Sequence, residues 1–160
     1  MRAFGYLIAG VALLTTTAAQ LLPAQKLPAA NAALSNGWRY KGCFSDVNAA
    51  LLNTDRALGG YLQILNTNGG AACTSVCRSQ GFKYAGTDDN ACWCDNVINR
   101  NNSITAGIAA PLGDLNCQTG CRGNLNEACG QTNLFISIYE FTGAGSDRAL
   151  GGGENWWGPG

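Results

Sequence analysis

Apolar positions recur along this chain with two different periods. Between Gly70 and Gln80, Cys73, Val76 and Cys77 fall on one face of a 3.6-residue spiral, and Gly81 stands where a helix takes a left-handed C-terminal cap. A helix is expected there. Elsewhere the period is two. Trp38 to Phe44 alternates aromatic with basic residues and reads as a first strand, Phe82 to Ala85 as a second. Around Ala91 to Cys94 an extended chain points Cys92 and Cys94 one way and Trp93 the other. Leu134 to Phe141, apolar on both faces except at Ser137 and Glu140, is the strongest strand signal.

The stretches between are polar. Ser45 to Gly60 reads as a loop with a short turn at Arg56-Ala57-Leu58, and Asp95 to Asn116 as a long Asn-rich loop. Gln20 to Asn36 has no clear period and reads as a linker (20–36). From Gly143 onward seven of eighteen residues are glycine, so 142–160 is expected to be a disordered tail. At the other end, Arg2 precedes an apolar run from Ala3 to Leu14 and the small residues Thr17-Ala18-Ala19. These are the parts of a secretory signal cleaved near Ala19. The run is far shorter than the roughly 20 residues that cross a bilayer. A secreted, extracellular or wall-associated product with no membrane span is expected.

Export changes the meaning of the cysteines. Eight of them, Cys43, Cys73, Cys77, Cys92, Cys94, Cys117, Cys121 and Cys129, lie within about ninety residues. In an oxidising compartment they predict a disulfide framework, and C-x3-C spacing without histidine argues against zinc. Two thiols on a helix face and two on a strand face permit two staples, expected as Cys73–Cys94 and Cys77–Cys92. The pairing of the other four is left open.

Charge and composition narrow the function. Ten basic and ten acidic residues cancel, charged residues are only 12% of the 160, and histidine is absent. No basic stripe exists for nucleic acid, and no Ser-His or Cys-His pair can form. Catalysis by paired carboxylates is disfavoured as well, because the three glutamates, Glu127, Glu140 and Glu154, sit in no cleft motif. The carboxylates from Asp88 to Asp95 lack EF-hand spacing, so neither metal nor cofactor is expected.

An ordered set of motifs then resembles a known family. Tyr40-Lys41-Gly42-Cys43-Phe44-Ser45-Asp46, Arg56-Ala57-Leu58, the C-x3-C helix, and Gly81-Phe82-Lys83-Tyr84-Ala85-Gly86 come first. Cys92-Trp93-Cys94, Cys117-x3-Cys121-Arg122-Gly123-Asn124, Cys129-Gly130 and Ile138-Tyr139 follow. Together they are similar to the WSC domain, an eight-cysteine extracellular module common in fungi, over Trp38 to Phe141. The resemblance implies a domain over 37–141 with a small disulfide-rich α+β fold related to PAN/apple domains, a helix stapled to an antiparallel β-sheet. It also implies carbohydrate binding, notably of cell-wall β-glucan. The chain departs from the family pattern at Asn68-Gly69-Gly70, Asp95 and Gly130-Gln131.

The residues support a neutral sugar independently. Stacking on sugar C–H faces needs aromatic rings, and sugar hydroxyls need amide and carboxylate partners. Sixteen Asn, four Trp and five Tyr provide both. Trp93 is the first stacking candidate if its side of the sheet is open, and a core residue if the Asn-rich loop covers it. Tyr84 would share that side. Asp88, Asp89, Asn90, Asp95 and Asn96 flank the C-x-C strand as candidate partners for hydroxyls. Trp38, Tyr40 and Tyr139 read as core or sheet-edge aromatics, and Arg56 with Asp46 as a structural ion pair. Asn101 opens the Asn101-Asn102-Ser103 glycosylation sequon. The competing class is a module that binds an extracellular protein.

Overall fold

The computed structural model describes residues 27–29, 34, 37–47 and 56–143. The expected signal segment and the glycine-rich tail beyond Gly143 lie outside the described residues, as does most of the expected linker. Within that linker, the Pro28 carbonyl accepts the Ala128 N–H (2.8 Å), and Leu34 packs against the core.

The chain builds β1 (Trp38–Asp46), β2 (Tyr61–Ile64), α1 (Gly70–Ser79), β3 (Tyr84–Asp88) and β4 (Ala91–Asp95). Then come β5 (Ala106–Ala109), a 3₁₀ turn (Gly113–Asn116), β6 (Thr119–Cys121), β7 (Asn124–Cys129) and β8 (Phe135–Phe141). Six strands form one sheet in the order β2-β4-β3-β8-β1-β5, every neighbouring pair antiparallel, and β6-β7 form a separate hairpin. The fold is α+β and disulfide-rich, as expected. No helix among the described residues is long and apolar enough to cross a membrane.

The helix forms where the thiol-bearing face predicts it. Gly81 takes φ +79°, the left-handed conformation that ends a helix with least strain when no Cβ is present. The helix N-terminus lacks a cap from its own side chains. Glu127 of β7 supplies one instead, its Oε1 accepting the Gly70 N–H at 2.6 Å. Cys73 and Cys77 point into a core with Ala85, Cys92, Cys94, Trp38 and Tyr139.

The two staples pair the other way from the expectation. The bridges are Cys73–Cys92 and Cys77–Cys94. The reason is direction. The helix turns back into β3, β3 turns back into β4, and two reversals leave β4 running parallel to the helix. Early thiol therefore meets early thiol. Four helical residues rise about 6 Å and two strand residues about 6.6 Å, so both bridges form without a shift. Their sulfurs pack side by side, Cys77 Sγ lying 3.8 Å from Cys92 Sγ. Sγ atoms of Cys73, Cys77 and Cys92 fall within 4.8 Å of one another. All three are spent in bridges, which leaves no thiolate to ligate a metal. Of the four cysteines left open, Cys43 pairs with Cys117 and Cys121 with Cys129.

Other differences are local. The second strand begins at Tyr84 rather than Phe82, because the Phe82 N–H is still taken by the Cys77 carbonyl at the helix end (2.9 Å) while its ring stacks on Tyr61. The Asn-rich segment contains β5 and the 3₁₀ turn.

Candidate functional site

The alternation around the C-x-C strand holds: Cys92 and Cys94 face the helix, and Trp93 lies on the opposite side of the sheet with Ile136 and Ile138. That side is not open at Trp93. The segment Arg56-Ala57-Leu58 folds over it, Ile98 of the Asn-rich segment packs beside it, and the residue is only 8% exposed. Gly86 makes the close approach possible, since a Cβ there would stand 2.4 Å from Ile136 Cδ1 and 2.9 Å from Leu58 Cδ1. Trp93 is therefore a core residue, and the expectation of a bare indole is corrected.

Arg56 holds this cover down. Its guanidinium lies 4.1 Å from the centre of the indole and pairs with Asp46 (2.6 Å) and Asp88 (2.9 Å). It also donates to Asn133 Oδ1 at 2.8 Å, while Asp46 Oδ1 accepts the Ala57 N–H at 2.7 Å. The expected Arg56–Asp46 pair is present, with Asp88 as its third member. Asp88, at 1% exposure, is thereby corrected from a sugar candidate to an internal counter-ion. Burial pushes the Asp46 carboxyl up to about 6 against the opposing pull of Arg56, and raises Asp88 in the same way.

Sheet register brings a different set together at the far end of the same face. Arg39 of β1 stands opposite Glu140 of β8, Glu140 opposite Tyr84 of β3, and Tyr84 opposite Asp95 of β4. Directly opposed residues share a face, so the four form one row across four strands, about 14 Å long at 4.7–4.9 Å per strand. Three cations meet on Glu140: Arg39 at 2.9 Å, Lys41 at 3.3 Å and Lys83 at 3.5 Å. Lys41 is the extra residue of a bulge between Tyr40 and Gly42. The Tyr84 hydroxyl donates to Glu140 Oε1 (3.3 Å), and Lys83 and Lys41 stand 5.1 and 5.8 Å from its ring centre. The ring remains half-buried rather than covered.

Both carboxylates of the row are held ionised. Burial opposes ionisation of Glu140, but Arg39, Lys41 and Lys83 outweigh it and bring the carboxyl down to about 2. Asp95 is fully buried and also lowered, because Arg100 and the N–H groups of Gly59, Asn96 and Val97 outweigh the burial. Asp95 is thus corrected from a hydroxyl partner to an anchor. Asn96 is exposed, and its Oδ1 accepts the Lys83 N–H at 2.9 Å.

Asp89 and Asn90 form the turn between β3 and β4, at least five residue steps or roughly 16 Å along the chain from Tyr84. Asp89 pairs there with Arg122 at 2.9 Å. The expected site residues therefore divide into a buried group (Trp93, Asp88, Asp95), a turn pair (Asp89, Asn90), and Tyr84 with Asn96 at the open end. Arg39, Lys41, Lys83 and Glu140 were not among the candidates. The signal for Arg39 and Lys41 was the basic half of the alternation from Trp38 to Phe44, a pattern whose target, Glu140, is contributed by another strand. Asn101 is exposed, beside a turn in which Asn99 Oδ1 accepts the Ser103 N–H at 2.6 Å.

Comparison with known proteins agrees with this architecture. The WSC domain family matches residues 40–131. The chain belongs to the WSC domain family. A WSC domain-containing protein of Arthroderma benhamiae is 37% identical over 112 residues, 66% of this chain and 11% of that protein. The xylosyltransferases oxt of Drosophila pseudoobscura pseudoobscura and Drosophila melanogaster are each 33% identical over 101 residues, 62% of this chain and 10% of theirs. The chain thus spans about a tenth of the length of these curated relatives. WSC domains are extracellular, disulfide-rich binding modules, generally for carbohydrate.

The opposed pKa shifts give a pH profile that can be measured. An acid raised in the folded state stabilises it at low pH, and Asp46 and Asp88 lose that contribution as pH rises from about 4 through 6. Lowered acids act oppositely, so Glu140 and Asp95 lose theirs as pH falls below about 4. Thermal melts should therefore give maximum stability near pH 4, with a decline between about pH 4 and 6 that Asp46→Asn should flatten. A melting temperature that climbs steadily from pH 4 to 8 would contradict the assignment.

Proposed function

We propose that this domain is a secreted carbohydrate-binding module that holds a cell-wall polysaccharide, β-1,3-glucan first among them, at the Tyr84 end of the sheet face that Arg56-Ala57-Leu58 covers elsewhere. The observation that carries the reading is the half-buried Tyr84 ring with Asn96 beside it and ionised Glu140 behind it. The ring offers apolar contact to sugar C–H groups and the exposed Asn96 amide offers a partner to hydroxyls, while Glu140 underneath holds the Tyr84 hydroxyl in place. Stacking passes from Trp93 to Tyr84 because the Arg56 segment occupies the indole. One small site gives modest affinity, which a polymer of repeated units raises by avidity.

Retention of the purified, oxidised protein on insoluble β-1,3-glucan, chitin and cellulose tests this. Retention is expected on the glucan, and Tyr84→Ala should reduce it by about tenfold, the value of a lost aromatic stack, with far-ultraviolet circular dichroism unchanged. Retention on none of the three would move the function to an extracellular protein partner. The exposed aliphatics Ile104, Leu112 and Leu115 (89%, 66% and 61% exposed) are the observation that favours that second reading.

A further inference from the structure

The charges at the Tyr84 end do not balance. Among the described residues, Arg100 pairs with Asp95, Arg122 with Asp89, and Arg56 with both Asp46 and Asp88. Arg78 lies over the Phe141 ring at 4.0 Å. Only Arg39, Lys41 and Lys83 share a single carboxylate, that of Glu140. Three cations less one anion leaves two positive charges in excess on one patch of a chain whose formal net charge is zero. Glu140 sits below, its side chain 10% exposed, while those of Arg39, Lys41 and Lys83 are 66%, 33% and 34% exposed. The anion is inside and the cations face solvent. Unused guanidinium and ammonium N–H groups on such a rim suit an incoming oxyanion.

We propose that Arg39, Lys41 and Lys83 form a subsite for an acidic substituent on the bound glycan, a uronate carboxylate or a sulfate ester, next to the Tyr84 ring that contacts the sugar. This rests on the carbohydrate-binding reading and deepens it by naming the ligand class: polysaccharide that carries anionic groups binds more tightly than neutral polysaccharide. The oxyanion lies across the outer N–H groups of Arg39 and one lysine without displacing Glu140. Exposed charge pairs are individually weak and screened by salt, so the preference fades at high ionic strength.

Affinity electrophoresis of the oxidised protein through gels containing polygalacturonate, a sulfated galactan, or neutral laminarin tests the proposal. Polygalacturonate or the sulfated galactan, or both, should retard the protein about tenfold more strongly than laminarin at low salt, and sodium chloride at about 0.5 M should remove the difference. The gel that retards it names the oxyanion. Arg39→Gln/Lys83→Gln should abolish the preference, while Arg122→Gln at the distant turn should leave it intact. Free inorganic sulfate competing for the wild-type protein gives the same answer without a variant. Equal retardation in all three gels, or a preference weakened as much by Arg122→Gln as by the double variant, overturns the subsite. Retardation by laminarin alone overturns it while sustaining carbohydrate binding. Retardation by none overturns both.

Discussion

Replacing Arg56 with methionine is expected to lower the unfolding free energy at pH 7 by about 3–5 kcal/mol, the cost of breaking a buried ion pair from one side. Asp46 and Asp88 are 0% and 1% exposed, and Arg56 is the cation that both contact. Methionine retains much of the volume over the indole but leaves two carboxylates buried without compensation. They respond by taking up protons. The deficit should therefore shrink by more than half between pH 7 and pH 4.5 in urea denaturation, and Asp46→Asn/Asp88→Asn introduced with Arg56→Met should recover part of it. A loss below about 1 kcal/mol at pH 7 would show that the triad carries little net interaction. Trp93 supplies a second readout, because its indole lies against the guanidinium. Its emission should shift to the red in the folded variant if the cover has loosened.

The same triad shows how far the residues themselves announced the fold. Period-two alternation located β1, β4 and β8, and thiol spacing located α1 with its Gly81 cap, because each of these elements buries one face and leaves a local pattern. Strands β2 and β5 leave a weaker one. Tyr61–Ile64 exposes Leu62 and Ile64, and Ala106–Ala109 exposes Ile108, so neither shows apolar-in, polar-out alternation. Trp93 was placed on the correct side of the sheet, but the side chain that covers it comes from a segment 37 positions earlier, held by a charge triad whose third member, Asp88, is on another strand. The binding row was harder still. Arg39, Glu140, Tyr84 and Asp95 become neighbours only through the order β1-β8-β3-β4, and strand order is set by long-range pairing that no local period encodes.

The disulfide connectivity was closer to reach than the row. Direction alone decides it: a helix, a four-residue turn, a strand, a two-residue turn and a second strand return the chain to the helix's own heading. Non-reducing peptide mapping should accordingly join Cys73 to Cys92 and Cys77 to Cys94, and a Cys73–Cys94 peptide would contradict the topology itself. The bridges should also differ in value according to the loops they close. Cys43–Cys117 spans 74 residues and Cys121–Cys129 only 8. If a crosslink acts mainly on the unfolded chain, Cys43→Ala/Cys117→Ala should cost about 4.5 kcal/mol and Cys121→Ala/Cys129→Ala about 2.5. The two staples, closing 19 and 17 residues, should fall between them at about 3 kcal/mol each. Chemical denaturation of the four double variants measures the order directly. A reversed order, with the helix staples costing most, would mean that these bridges act by packing: their sulfurs fill the space between helix and sheet, and removing them opens a cavity in the centre of the core.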